Sequence, residues 1–218
     1  MPKISAPTVA AHRTQTRERI LEAVASLTRS QGIDRVSMTD VAAEAGITRT
    51  ALYNYFPDKP ALLLSFTEHV TTAFVERYRR ELPSDASAAE RLSAFVWFQL
   101  HGLVEHPHPA AAELSAILGP DAYQALADHV APMQQLLAEI VRQGAANGEF
   151  DFHAAPPEAT AKLALAMIGA QRVPLLNGET DVDETHSLVT VFTLRALGLP
   201  HDTAERAARF TPEHARRD

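Results

Sequence analysis

Two short apolar helical faces separated by a single glycine constrain this chain more than any other feature of it. After Ser37 the sequence runs Met38-Thr39-Asp40-Val41-Ala42-Ala43-Glu44-Ala45-Gly46-Ile47-Thr48-Arg49-Thr50-Ala51-Leu52-Tyr53-Asn54-Tyr55-Phe56. Val41, Ala42 and Ala45 share one face before the glycine, and Ile47, Ala51 and Leu52 share one after it. Ala42 is small enough for a close helix crossing, and Gly46 supplies the positive φ that a tight helix-helix turn often needs. Thr48 is placed to cap the second helix. Pro57 cannot continue that helix, and Asp58 or Pro60 opens the next, with Leu62, Leu63, Phe66, Val70 and Phe74 on its apolar face.

The remainder of the chain is read in the same way. Residues 1–13 hold two prolines, small polar side chains and no apolar period, which predicts a flexible arm; its Lys3, His12 and Arg13 suit phosphate contacts. From Thr14 a helix is expected, with Ile20, Val24 and Leu27 on one side and Gly32 as its stop. Beyond Leu82 helical patterns follow one another. One opens at Pro83-Ser84-Asp85 and reaches Glu105, a shorter one covers Pro109 to Leu118, and another runs from Asp121 to Gln143 with Pro132 inside it. Pro156-Pro157-Glu158 starts one that continues to Val173, and Asp181 with Glu184 caps one that stops at Gly198 and Pro200. No alternating strand pattern or internal repeat emerges, so the expected fold class is all-α.

A chain of 218 residues that is 46% apolar buries a substantial core. No apolar run is long enough for a membrane span and the N-terminus lacks a signal pattern, so a cytoplasmic location is expected. The absence of cysteine excludes disulfides, thiolate metal sites and a thiol nucleophile. The net charge of -7 sits badly with phosphate binding until its distribution is considered. Up to residue 60 the eight cations Lys3, Arg13, Arg17, Arg19, Arg29, Arg35, Arg49 and Lys59 outnumber the six acids Glu18, Glu22, Asp34, Asp40, Glu44 and Asp58. The acidic surplus therefore lies in the body, as suits a protein that offers one end to DNA, although ordinary surface charge explains the pattern equally well.

The stretch Gly46-Ile-Thr-Arg-Thr-Ala-Leu-Tyr-Asn-Tyr-Phe-Pro-Asp-Lys59-Pro-Ala-Leu-Leu63 closely resembles the signature of the TetR family. The resemblance covers about Thr14 to Phe74; the C-terminal part is similar only in being helical and of the usual length. It implies a three-helix DNA-binding head with a helix-turn-helix at 14–60, an all-helical bundle for effector binding and dimerisation at 61–200, and a charged tail at 201–218. The implied partners are a double-stranded palindromic operator, a second copy of the chain and a small-molecule effector, with no membrane partner and no cofactor.

Within that frame the second short helix becomes the recognition helix, with Arg49 and Thr50 near base edges. Arg49 is its one long cation, suited to guanine or, more simply, to a phosphate. The resemblance implies that Tyr53 and Tyr55 contact the operator backbone, whereas Phe56 is core. Thr39 and Thr48 carry helix-start hydroxyls fit for capping, phosphate binding or both. Lys59 joins its charge to exposed N–H groups at a helix start, a phosphate-binding combination.

Dimer contacts are expected from Leu163, Ala166, Met167 and Ala170 on one late helix and Leu188, Val189, Phe192 and Ala196 on the other, though these stripes also read as ordinary core. The helix ending at Glu105 is apolar nearly all round and should be central. Its second stripe, Trp97, Phe98 and His101, with Tyr123, Met133, Met167 and Gln171, is the expected lining of an apolar effector pocket, against the alternative of solid core. Such a lining, without a carboxylate, points to an apolar or aromatic effector. Two other functions are weighed: a helix-turn-helix protein with no effector, and a metal-dependent helical-bundle enzyme. The second rests on Glu105-His106-Pro107-His108, which has no second copy in the chain and is interrupted by Pro107.

Overall fold

The computed structural model describes residues 6–83, 85–105, 123–151 and 155–212. Among them every regular element is helical: α1 (Ala6–Gln31), a 3-10 turn (Ile33–Arg35), α2 (Met38–Glu44), α3 (Arg49–Tyr53), α4 (Lys59–Glu81), α5 (Ala88–Glu105), α6 (Tyr123–Ala146), α7 (Pro157–Ala170), α8 (Arg172–Leu176), α9 (Val182–Ala196) and α10 (His201–Ala208). The all-α expectation is met. The expected helix at Pro109 to Leu118 and the Glu105-His106-Pro107-His108 motif beyond its first residue lie outside the described residues.

The chain divides into two compact units, Met1–Val70 with His106–His129, and Thr71–Glu105 with Val130–Asp218. In the first, Ile20, Leu21 and Val24 of α1 meet Val36, Val41, Leu52 and Phe56 in one buried cluster that also takes Leu62, Leu63 and Phe66 from α4. Those α4 side chains complete this core, and the division between the units falls after Val70. In the second, α5 is buried on both sides, with Leu92, Phe95 and Val96 on one stripe and Trp97 and Phe98 on the other. It packs against α7, α8, α9 and α10, the central position expected for a helix with no polar face.

Local chemistry explains several departures from the expected boundaries. Residues 6–13, read as an arm, form the first turns of α1. Pro7 suits a first helical turn, where its missing N–H costs nothing, and Ala10 and Ala11 are strong helix formers. α5 starts at Ala88 rather than near Ser84: the Ser87 hydroxyl accepts from the Glu90 N–H while the Glu90 carboxylate accepts from the Ser87 N–H. α7 stops at Ala170 instead of reaching Val173, because Pro174 has no N–H for the Ala170 carbonyl, and a separate short α8 follows.

His201–Ala208, the first part of the segment 201–218 read as a charged tail, forms α10. Its Ala204, Ala207 and Ala208 are buried, and the carbonyl of Phe210 accepts a hydrogen bond from the Ser93 hydroxyl of α5 at 2.9 Å. Alanine on one face and Arg, Glu and Asp on the other make a helix that a charge count alone reads as solvated.

Candidate nucleic-acid interface and effector region

The helix pair of the head is locked from its two starts. Ser37 caps α2 in a capping box, its hydroxyl accepting from the Asp40 N–H at 3.2 Å while the Asp40 carboxylate accepts from the Ser37 N–H. Thr39, expected among the helix-start hydroxyls, is therefore not the cap; it stands exposed on the first turn of α2. Gly46 turns the chain at φ 66°. Thr48 then caps α3 by accepting from the Ala51 N–H at 3.1 Å, which leaves its own O–H free to donate outward.

On α3, Leu52 is buried while Arg49, Thr50 and Tyr53 are exposed. The Arg49 guanidinium lies 5.6 Å from the Tyr53 ring centroid and donates to its hydroxyl at 3.2 Å. A five-residue helix with one buried leucine and three outward polar or aromatic side chains presents donors at a surface and holds them by its caps. Tyr55 is half-buried and Phe56 is core, as expected of it.

Lys59 takes a place that its sequence position did not disclose. It opens α4, as expected, yet its Nζ donates to the carbonyls of Ile33 at 3.4 Å and Asp34 at 3.3 Å. The ammonium thus also ties the 3-10 turn to the start of α4. The cap of α4 is Asp58, whose carboxylate accepts from the Ala61 N–H at 2.8 Å. Two further cations join the group without having been singled out beside the recognition helix. Arg13 lies 5.2 Å over the Tyr55 ring, and Arg17 lies 5.6 Å over Phe56 and donates to the Ser65 hydroxyl at 3.1 Å. Their four-residue spacing on α1 is the signal that would have paired them.

In the C-terminal unit the expected pocket residues that lie among the described ones sit in the aromatic core or on helices packed against it. Trp97 and Phe98 are buried edge to face at 5.2 Å, and His101 stacks on Trp97 at 4.1 Å. Met133 and Met167 are half-buried against the same core, while Gln171 donates to the Met167 carbonyl of its own helix. The side chain of Tyr123 lies outside the described residues. Charges border the aromatics: Arg77 lies 4.9 Å over Phe98 and pairs with Glu81 at 3.4 Å, and His101 Nε2 is 3.5 Å from Asp183.

Two clefts are described in this unit, and neither touches the expected set. One of about 310 Å³ is lined by Tyr78, Leu82, Arg91, Leu136 and Glu139 among others, and one of about 510 Å³ by Glu90, Glu149, Pro200, Thr203 and Arg206 among others. Aromatic side chains on the second stripe of α5 bury most favourably against one another, so within the described residues they fill space rather than surround it.

The late helices behave differently. Leu163 on α7 is 70% exposed, and Leu188 and Phe192 on α9 are 68% and 63% exposed. Ala166, Ala170 and Ala196 are exposed as well, whereas Val189 faces the core and Met167 is half-buried. No helix among the described residues is long and apolar enough to cross a membrane, and no group of three or more potential metal ligands occurs among them.

Residues 20–66 match the family model described as bacterial regulatory proteins, tetR family, and residues 88–190 match that of a tetracyclin repressor-like C-terminal domain. Over 81 residues the chain is 35% identical to an uncharacterized HTH-type transcriptional regulator of Mycobacterium bovis and 31% identical to the nucleoid occlusion factor SlmA of Vibrio campbellii. Each match covers 37% of this chain, and 40% and 41% of those relatives respectively. Among solved structures, RolR in complex with resorcinol is similar with a TM-score of 0.68 at 19% identity, covering 92% of this chain and 96% of that one. FadR from Bacillus subtilis in complex with stearoyl-CoA is similar with a TM-score of 0.63 at 17% identity, covering 85% and 97%. At these identities the structural likeness is one of fold.

Proposed function

Since the chain belongs to the TetR family of transcriptional regulators, which are not enzymes, we propose that it is a cytoplasmic repressor that binds a palindromic operator as a homodimer and releases it when a small effector binds. The observation that carries this reading is the exposed trio Arg49, Thr50 and Tyr53 on a short helix capped at its start and anchored by Leu52. α3 enters the major groove, where Arg49 and Thr50 meet base edges; Tyr53, Tyr55, Thr39, Thr48 and Lys59 meet the backbone. Arg49 brings its own orienting partner in Tyr53.

Two copies are needed because a three-helix head contacts too few bases for specificity, and a palindromic site mirrors a two-fold protein. Leu163, Leu188 and Phe192 supply the joining face. Three large apolar side chains left in water on two adjacent late helices are a cost that burial against their counterparts removes. A four-helix arrangement of α7 and α9 with their copies accounts for all three.

The effector is an apolar or aromatic small molecule bound within the C-terminal bundle. Resorcinol and stearoyl-CoA in the similar structures support this class. Binding shifts the dimer toward a state whose recognition helices no longer match successive major grooves, which requires tighter binding to that state than to the DNA-bound one. The test is operator selection from a random duplex pool, followed by release of the selected duplex in a screen of hydrophobic compounds against wild type, Trp97→Ala and His101→Ala. Compounds that release wild type but not the variants support the Trp97 region. Release of all three at equal concentrations places the effector elsewhere, and no release by any compound favours a regulator without a small-molecule effector.

A further inference from the structure

α1 is longer than the head requires. Among its described side chains Thr16 is the first that is buried, and residues 10–15 are all exposed. Residues 10–15 carry α1 about 9 Å beyond Thr16 at 1.5 Å per residue. Helix that buries nothing contributes little to the core, so its persistence calls for another use. The composition of the stretch is one-sided: from Ala6 to Arg17 it contains His12, Arg13 and Arg17 and no acid, the first being Glu18.

The placement of the stretch is fixed by its own side chains. Arg13 and Arg17, one turn apart, lie over the rings of Tyr55 and Phe56, the two aromatics that follow α3. The projecting part of α1 is thereby seated beside the end of the recognition helix. A guanidinium held over a ring by cation–π attraction spends no hydrogen bond on it, so its N–H donors remain to meet the paired oxygens of a phosphate.

We propose that the N-terminal stretch of α1, residues 10–17, is a second DNA-binding element, in which Arg13, held over Tyr55, grips the phosphate backbone flanking the half-site read by α3. Charge complementarity and continuity with the α3 surface identify duplex DNA as the occupant. The inference rests on the proposed reading of α3 as the recognition helix. The element holds the protein on DNA and carries no base preference, so its contribution depends on salt and on duplex length.

The test uses the full chain and a duplex that wild type selects from a random pool, prepared in two lengths: the core alone, and the core extended by about one helical turn, roughly 10 base pairs, at each end. Wild type binds the extended duplex more tightly. Arg13→Gln loses roughly tenfold in affinity on the extended duplex and little on the core, and its plot of log affinity against log salt is shallower by about 2, one phosphate per protomer. Arg13→Lys, which keeps the charge, retains the slope. Equal binding of both lengths by wild type overturns the inference and spares the α3 reading, as does an Arg13→Gln variant that matches wild type or loses affinity equally on both lengths. An Arg13→Lys variant as weak as Arg13→Gln also overturns it. Failure of wild type to select any duplex removes the α3 reading itself, and the inference with it.

Discussion

The guanidinium of Arg49 donates to the hydroxyl of Tyr53 one turn further along α3, at 3.2 Å, and lies over the same ring. A reading arginine held in this way loses less freedom on reaching a base than a free one would. Arg49→Ala is expected to broaden the duplex motif recovered by selection and to weaken binding to the selected site by an amount in the range of about 1–3 kcal/mol. Tyr53→Phe, which removes the hydroxyl and keeps the ring, is expected to preserve the motif with a smaller loss of affinity. Arg49→Ala with an unchanged motif and unchanged affinity would show that another residue reads the bases.

Lys59 faces two demands, since its ammonium donates to the Ile33 and Asp34 carbonyls. Lys59→Ala is expected to weaken binding to all duplexes by a similar factor and to flatten the salt slope. It should also lower stability by about 1 kcal/mol, the scale of a partly exposed hydrogen-bonding group lost. Urea unfolding and salt titration separate the two roles. Lower stability with an unchanged salt slope would leave Lys59 a structural tie only.

The exposed apolar side chains on α7 and α9 make the oligomeric state directly testable. The double variant Leu188→Asp with Phe192→Asp is expected to sediment as a monomer with undiminished helical circular dichroism, because both side chains are exposed within one chain and contribute little to its core. Binding to a palindromic duplex should fall sharply with it. A wild type that is monomeric at micromolar concentration, or a variant that remains dimeric, would reject this face.

Gly144 sits in the last turns of α6, directly under the buried ring of Phe150, and a methyl group there would run into that ring. The Gly144 carbonyl also accepts from the N–H groups of Glu149 and Phe150, so the chain folds back upon this point. Gly144→Ala is expected to cost about 1–3 kcal/mol through overpacking. In a chain of this size that lowers the melting temperature by roughly 2–4 °C per kcal/mol. Gly144→Ala combined with Phe150→Leu should recover part of the loss; a single variant as stable as wild type would contradict the seating of Phe150.

His186 is buried on α9, its Nε2 3.1 Å from both the hydroxyl and the carbonyl oxygen of Ser93. Burial holds its pKa below the ordinary value of 6.5, reinforced by nearby His101 and opposed by the Ser93 carbonyl and Asp183. The unfolded chain therefore takes up a proton here before the folded one does. The stability contributed by the neutral ring is fully present above pH 6.5 and is lost as pH falls from there through the lower folded value. Urea titrations across that range should show wild type losing more stability than His186→Gln, which cannot be protonated. Parallel pH profiles for the two proteins would remove His186 as the source.

Local rules of capping, glycine turns and helical spacing were enough to place α3 and the starts of α4 and α9, because each is closed by contacts within about four positions: Thr48 to Ala51, Asp58 to Ala61, Asp181 to Glu184. The same rules marked α5 as central, since a helix without a polar face has nowhere else to go. Where a residue's role depends on partners remote in sequence, spacing was silent. Lys59 bonds to carbonyls some 25 positions away, and Arg17 reaches Ser65 across 48. Ser93 joins His186 and Phe210 from positions roughly a hundred away. Whether Trp97 and Phe98 line space or fill it was equally undecided, since an aromatic stripe has one pattern for both and only the neighbours differ. Apolar period determines that a face is buried; which surface buries it is a property of the packed chain, so the stripes of α7 and α9 read as core or interface until tertiary structure left Leu163, Leu188 and Phe192 in water and drew Val189 inside.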